Sequence, residues 1–345
     1  MTDGDLPPLI DEAALARYLD EHLHDGDGLS TERHMAGHSC ETFFITWGGS
    51  EYVLRRPPRG AFLPTAHDVT REYRVLSALG DTSVRAPRTF LMCEDESVIG
   101  APFYMMERKR GVVIRTELPD AFRAEDRAAI GDELVDALAE LHDVDWHASG
   151  LEGFGKPSGY LERQLRRWNG QMGLTLPLTR SIPDLEKVGA WLGENIPASS
   201  ETTLVHGDYK LDNVMFDFDP PARLVAIFDW EMSTLGDPLA DLGWMISFWR
   251  EPSDEGRDVL ADLNRVTTLD GFRLRPDLVE RYARLTDRHV DELDWFVVLA
   301  IWKLAILLEG SYARHLAGMT DDPFFAHLEE GVPALAARAL SIGIG

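Results

Sequence analysis

The segment His206-Gly207-Asp208-Tyr209-Lys210-Leu211-Asp212-Asn213 constrains this chain more than any other. It sets a carboxylate and an amide five positions apart directly after an apolar strand, Thr203-Leu204-Val205. Sixteen residues beyond Asn213, a second apolar strand, Leu224-Val225-Ala226-Ile227-Phe228, delivers Asp229 at its C-terminal end. Glu231 follows on the same face if strand geometry continues.

The H-x-D-x-x-x-x-N spacing is that of kinase catalytic loops. Phosphoryl transfer to a hydroxyl needs a carboxylate to orient the nucleophile and accept its proton, and an amide oxygen to help hold Mg²⁺ on the phosphates. Asp208 is therefore the candidate catalytic residue, and Asn213 and Asp229 are the candidate metal ligands. Taken alone, the short motif also matches by chance or as polar loop caps; Asp229 at the next strand's end decides between these readings. The role of Glu231 stays open.

The earlier part of the chain supplies a place for a nucleotide. Phe43-Phe44-Ile45-Thr46-Trp47 and Glu51-Tyr52-Val53-Leu54-Arg55 flank Gly48-Gly49-Ser50, which signals a hairpin. Alternation puts Arg55 on one face with Val53 and Arg56 on the other, so Arg55 is the candidate phosphate contact; two surface arginines are the plainer alternative. Thr65 and Asp68 resemble a capping box opening a helix with apolar Val69, Tyr73, Leu76 and Leu79, which Gly80 ends. Glu72 falls within that stripe and needs a partner: Arg55, or Arg71 or Arg74 at its edge. The turn Ala36-Gly37-His38-Ser39-Cys40 is the expected phosphate-covering loop, with Gly37 and Ser39 as contacts, and Met105-Met106-Glu107 is expected under the adenine.

These pieces predict an α+β, bilobal, protein-kinase-like fold. Residues 1–107, a leading helix plus an antiparallel sheet and one helix, form the nucleotide-binding lobe; residues 108–345 form a helical lobe with the catalytic loop. The expected cofactors are Mg²⁺ and ATP, with GTP as the second donor candidate, and the partner is a small-molecule hydroxyl substrate. Gly236-Asp237-Pro238 follows Asp229 too soon to leave room for the long activation loop of a protein kinase.

Bulk properties narrow the setting. With 59 acidic and 34 basic side chains the net charge is −25, which repels nucleic acid and anionic membranes. Cys40 and Cys93 are read as reduced thiols. No uninterrupted apolar stretch approaches the roughly 18–20 residues of a spanning helix, so a cytoplasmic protein is expected. Oligomeric state is not legible.

Leu204-Val205-His206-Gly207-Asp208 to Asn213 and Ile227-Phe228-Asp229-Trp230-Glu231 resemble the signature of the aminoglycoside phosphotransferase and choline kinase family. The likeness continues through Gly236 to Gly243, Arg71-Glu72-Tyr73 and Leu138 to His142. Gly159 to Trp168 looks most like the branch associated with acyl-CoA dehydrogenases, which implies a hydroxyacyl-CoA or hydroxy acid acceptor. An aminoglycoside-type antibiotic kinase and a catalytically silent nucleotide-binding module are the alternatives. Arg in place of the strand Lys and a phosphate loop without Gly-Gly-x-Ser-Asn depart from the family pattern. By the same resemblance His206 organises the loop. His142, Asp237 and Asp241 read as caps, and Arg163, Arg166 and Arg167 form a basic face that is either solvated or meets an anionic substrate.

Overall fold

The structure, a computed structural model, describes residues 8–23, 26, 28–34, 40–59, 68–198, 201–254, 265–320 and 322–344. The chain divides into two compact units: Met1–Arg110 with Ala226–Glu231, and Gly111–Val225 with Met232–Gly345.

In the first unit, α1 (Glu12–His22) precedes β1 (Ser30–His34), β2 (Glu41–Trp47) and β3 (Ser50–Arg56). Then come α2 (Val69–Leu79), β4 (Thr89–Cys93), the single turn α3 (Glu96–Ile99) and β5 (Phe103–Glu107). The strands form one antiparallel sheet in the order β1-β2-β3-β5-β4. Trp47 pairs with Ser50 across a turn in which Gly48 and Gly49 have φ of 55° and 76°, a conformation that a side chain would strain. Phe43, Ile45 and Trp47 alternate into a core with Leu54, Phe103 and Met105, closed by Leu15 and Leu19 of α1. Asp68 caps α2 by accepting from Thr70 and Arg71 N–H at 3.0 and 3.1 Å. Thr65 lies outside the described residues. The buried stripe of α2 holds Val69, Glu72, Val75, Leu76 and Leu79, while Tyr73 is only half-buried. Late in the chain, Ala226–Glu231 joins this unit, with Ile227 N–H donating to Arg85 C=O at 2.7 Å.

The second unit carries α4 (Arg127–His142), α5 (Tyr160–Thr175) and α6 (Pro183–Glu194). Next are β6 (Thr203–Val205), β7 (Val214–Phe216), β8 (Leu224–Ile227), within which the chain crosses into the first unit, and β9 (Thr234–Gly236). Then follow α7 (Leu239–Phe248), α8 (Arg275–Thr286), α9 (Leu293–Leu316) and α10 (Leu328–Gly343). β6 pairs antiparallel with β9, a strand too short for its period to be read from sequence. Helix α9 is long and apolar enough to cross a membrane by length and composition, although Lys303 interrupts its apolar run. Of its most apolar window 67% is buried, and the helix packs against α5, α6, α7 and α10 as a core element. Its Trp302 and Trp295 donate to Leu185 and Leu192 C=O at 2.9 and 3.2 Å, so these rings satisfy their N–H while filling the interior.

Candidate active site

The first unit assembles a buried ion pair. Arg55, on β3, is hydrogen-bonded through Nη1 to Glu72 Oε1 on α2, and both side chains are nearly inaccessible. Glu72 thus takes the strand arginine rather than Arg71 or Arg74, and its carboxylate also accepts the Trp230 main-chain N–H. Burial opposes the charge on Arg55, but Glu72, Tyr104, Cys40 and Asp229 around it outweigh this and raise its pKa. Arg56, on the other face, is no surface residue: it is buried, bonded to the carbonyls of Leu9 and Ile99. Beside Arg55, burial pushes the Cys40 thiol up to about 12, which removes it as a nucleophile at neutral pH.

Arg55 Nε and Asp229 Oδ1 are among the polar side-chain atoms of this unit that are buried without a hydrogen-bond partner. A desolvated donor and acceptor left unmade are costly, and together they match what a magnesium-nucleotide would satisfy: a phosphate oxygen for the guanidinium and a cation for the carboxylate. Asp229 has φ of 66°, unusual for a non-glycine residue, and the turn behind it is fastened by Trp230 Nε1 donating to Ile227 C=O at 3.0 Å. Met106 is buried opposite Val53 on β3. Glu107 N–H is already spent on Arg88 C=O at 2.8 Å, and its carboxylate sits 2.9 Å from Lys109 Nζ. Gly37 and Ser39 lie outside the described residues.

The second unit builds the catalytic loop around one carboxylate. Asp208 Oδ1 accepts from Trp244 Nε1 at 2.8 Å, and Oδ2 accepts from Lys210 Nζ at 2.6 Å and Asn213 Nδ2 at 2.7 Å. Asn213 Nδ2 also donates to Asp208 C=O at 2.9 Å, so its Oδ1 is the atom left for a cation. Burial opposes ionisation of Asp208, but Lys210, His206 and Lys303 outweigh it and hold the carboxyl below its ordinary range. It stands ionised, as a base must. Among the described residues no three His, Cys, Asp or Glu side chains form a metal cage; Mg²⁺ on a nucleotide needs only one or two protein oxygens, the rest coming from phosphate and water.

The loop is anchored from beneath. Asp241, in the first turn of α7, accepts the main-chain N–H of His206 at 2.6 Å and of Gly207 at 2.8 Å. His142 is not a helix cap: its ring lies wholly buried, 3.3 Å from Asp241 Oδ2 and 2.6 Å from Tyr282 Oη of α8. Asp237 does cap, accepting Leu239 N–H at 3.0 Å. His206 is buried, its Nδ1 accepting Asp208 N–H at 3.2 Å. On the expected basic face Arg163 bonds the carbonyls of Lys156 and Ser158, while Arg166 and Arg167 are exposed, Arg167 lying over Trp168, which fits the solvated reading. Lys210, Trp244 and Lys303 were not singled out from sequence, although a lone lysine within Phe296-Val297-Val298-Leu299-Ala300-Ile301-Trp302-Lys303-Leu304 was a signal that a buried charge has a partner.

Residues 30–296 match the phosphotransferase enzyme family, to which the chain belongs. It is 37% identical over 322 residues to acyl-CoA dehydrogenase family member 11 of Rattus norvegicus, a match covering 90% of this chain and 40% of that protein. The chain spans about two fifths of the length of that protein and of its counterpart in Gallus gallus, to which it is 34% identical. A crystal structure of a protein of aminoglycoside phosphotransferase type from Ralstonia eutropha superposes with a TM-score of 0.82 at 32% identity, covering 96% of this chain and 98% of that one. Aminoglycoside 2'-phosphotransferase-IIIa, solved with GDP, shares the fold at a TM-score of 0.62 and 16% identity, covering 95% and 99%. The α+β kinase-like fold and the acyl-CoA-dehydrogenase-associated branch expected from the motifs agree with these likenesses.

Proposed function

We propose that the protein transfers the γ-phosphoryl group of ATP or GTP to a hydroxyl of a small hydroxyacyl compound, either a hydroxy acid or its CoA thioester. The observation that carries the proposal is the Asp208 carboxylate, ionised, half-buried and bonded to Lys210, Asn213 and Trp244. Asp208 orients the acceptor hydroxyl and takes its proton as the oxygen attacks phosphorus. Lys210, on the same carboxylate oxygen, holds that base ionised before the proton arrives. Arg55, fixed by Glu72, offers its unpartnered Nε to a phosphate oxygen. Asn213 Oδ1 in the second unit and Asp229 Oδ1 in the first are each an oxygen that suits Mg²⁺, which when bound draws off charge from the phosphates. The relatives' association with acyl-CoA dehydrogenases supports the acceptor class.

The test is nucleotide consumption with Mg²⁺ against hydroxyacyl-CoAs, hydroxy acids, aminoglycosides and amino alcohols, in wild type and Asp208→Asn. Loss of general base catalysis should lower kcat by about 10²–10⁴-fold, with nucleotide affinity changed only a few-fold. Transfer surviving in the variant within tenfold would remove Asp208 from the chemistry.

A further inference from the structure

Lys303 interrupts the apolar run of α9, and its ammonium is seated against the catalytic loop. Nζ donates to Gly207 C=O at 3.0 Å, one residue before Asp208, and lies 4.3 Å from the centroid of the Trp244 ring and 5.7 Å from that of Trp168. Trp244 is the ring that bonds Asp208. The aromatic face beside the base is thus already covered by a cation of the protein's own. Lys210 lies 5.7 Å from Phe248, which packs 5.2 Å from Trp244, and Arg167 lies 5.2 Å from Trp168. Three cations therefore border the aromatic rings beside Asp208, where the Asp208 and Asp241 carboxylates also act on Lys303.

Such a patch is where an ammonium-bearing acceptor would gain affinity, and here it meets like charge instead. An ammonium has three donors, and Gly207 takes one. Holding a carbonyl requires only a neutral donor, whereas a buried cation is disfavoured by desolvation. We infer that Lys303 is the specificity-determining residue for the acceptor, and that the acceptor carries a carboxylate rather than an amine near its hydroxyl. The inference rests on the phosphotransferase reading above and narrows it to one charge class.

The charge on Lys303 is itself titratable. Burial, aided by Arg167 and Lys210, lowers its pKa to about 8 against the opposing pull of Asp208 and Asp241. A lysine with a lowered folded pKa is charged below about 8 and neutral above it, so carboxylate recognition weakens as pH rises through that value.

The experiment uses the full chain, wild type and Lys303→Met, with a matched series: 3-hydroxybutyrate, 3-hydroxybutyramide and 4-amino-2-butanol. Calorimetric binding with an unreactive ATP analogue is read beside phosphoryl transfer from labelled ATP. Wild type should bind the carboxylate about tenfold or more tighter than the amide, with the amine weakest. Lys303→Met should lose that tenfold for the carboxylate, leave the amide within about threefold and improve the amine. The wild-type order and its decline above pH 8 stand without the variant, should Lys303→Met misfold. Equal affinities in wild type, or equal loss for all three probes in the variant, would reduce Lys303 to a loop anchor and overturn the inference. Transfer chiefly to the amine would overturn it while upholding phosphotransferase activity; the expected binding order without transfer would uphold the charge class and count against the proposed reaction.

Discussion

Replacing Asp241 with Asn tests how the catalytic loop is held. The carboxylate is 1% exposed and receives two main-chain N–H groups and the His142 ring. An amide keeps one acceptor oxygen but turns an NH₂ toward a donor. One charge-assisted bond, about 1.5–3 kcal/mol, is lost and one buried N–H is orphaned at about 1–3 kcal/mol. The expected loss is about 3–5 kcal/mol, a large part of the roughly 5–15 kcal/mol that holds a domain folded. Urea unfolding followed by tryptophan fluorescence measures it. The pH dependence identifies the cause. Burial works against ionisation of Asp241, but the bond and charge of His142, His206 and the Gly207 N–H outweigh it, so the folded pKa is lowered. A depressed carboxyl contributes stability above its unfolded pKa of about 3.9 and loses it as pH falls through the folded value. The gap between wild type and Asp241→Asn should therefore be constant from pH 7 to about 5 and narrow below about 4. A gap under about 1 kcal/mol at pH 7, or one that does not narrow in acid, would refute the anchoring argument.

Arg55→Met should leave Glu72 buried near Asp229 without its counter-charge, costing about 3–5 kcal/mol at pH 7. Part of that should return toward pH 5 as Glu72 protonates; its nucleotide KM should rise where that of Asp208→Asn does not, and an unchanged KM would separate Arg55 from the phosphates. Gly207→Ala should destabilise by about 1–2 kcal/mol or more, because φ is 84° and a Cβ would stand 2.6 Å from Met232 C=O. An unaltered urea midpoint would contradict it.

What was legible in the sequence was local. The catalytic loop reads directly because Asp208 and Asn213 are five positions apart and meet side chain to side chain. The hairpin reads because two glycines admit the positive φ of its turn. Glu72 could be matched to Arg55 because a charge within an apolar stripe has to be neutralised, and the two lie 17 positions apart on adjacent elements. The partners that escaped are distant in sequence: Lys303 reaches a carbonyl 96 positions away, and His142 meets Asp241 across 99. No periodicity carries such pairings. His142 at a helix end looked like a cap because its burial is decided by α7 and α8, which are placed by packing rather than local propensity.

The return of Ala226–Glu231 to the first unit has a consequence for synthesis. About 120 residues separate Arg110 from Glu231, which at roughly 5–20 residues per second is on the order of 6–24 s of ribosome time. Until that delay has passed, Glu72 lacks the Trp230 N–H and Asp229 has not been made. A nascent chain that has completed its sheet therefore still waits for Asp229, and the unit cannot be excised as a continuous N-terminal fragment without losing it.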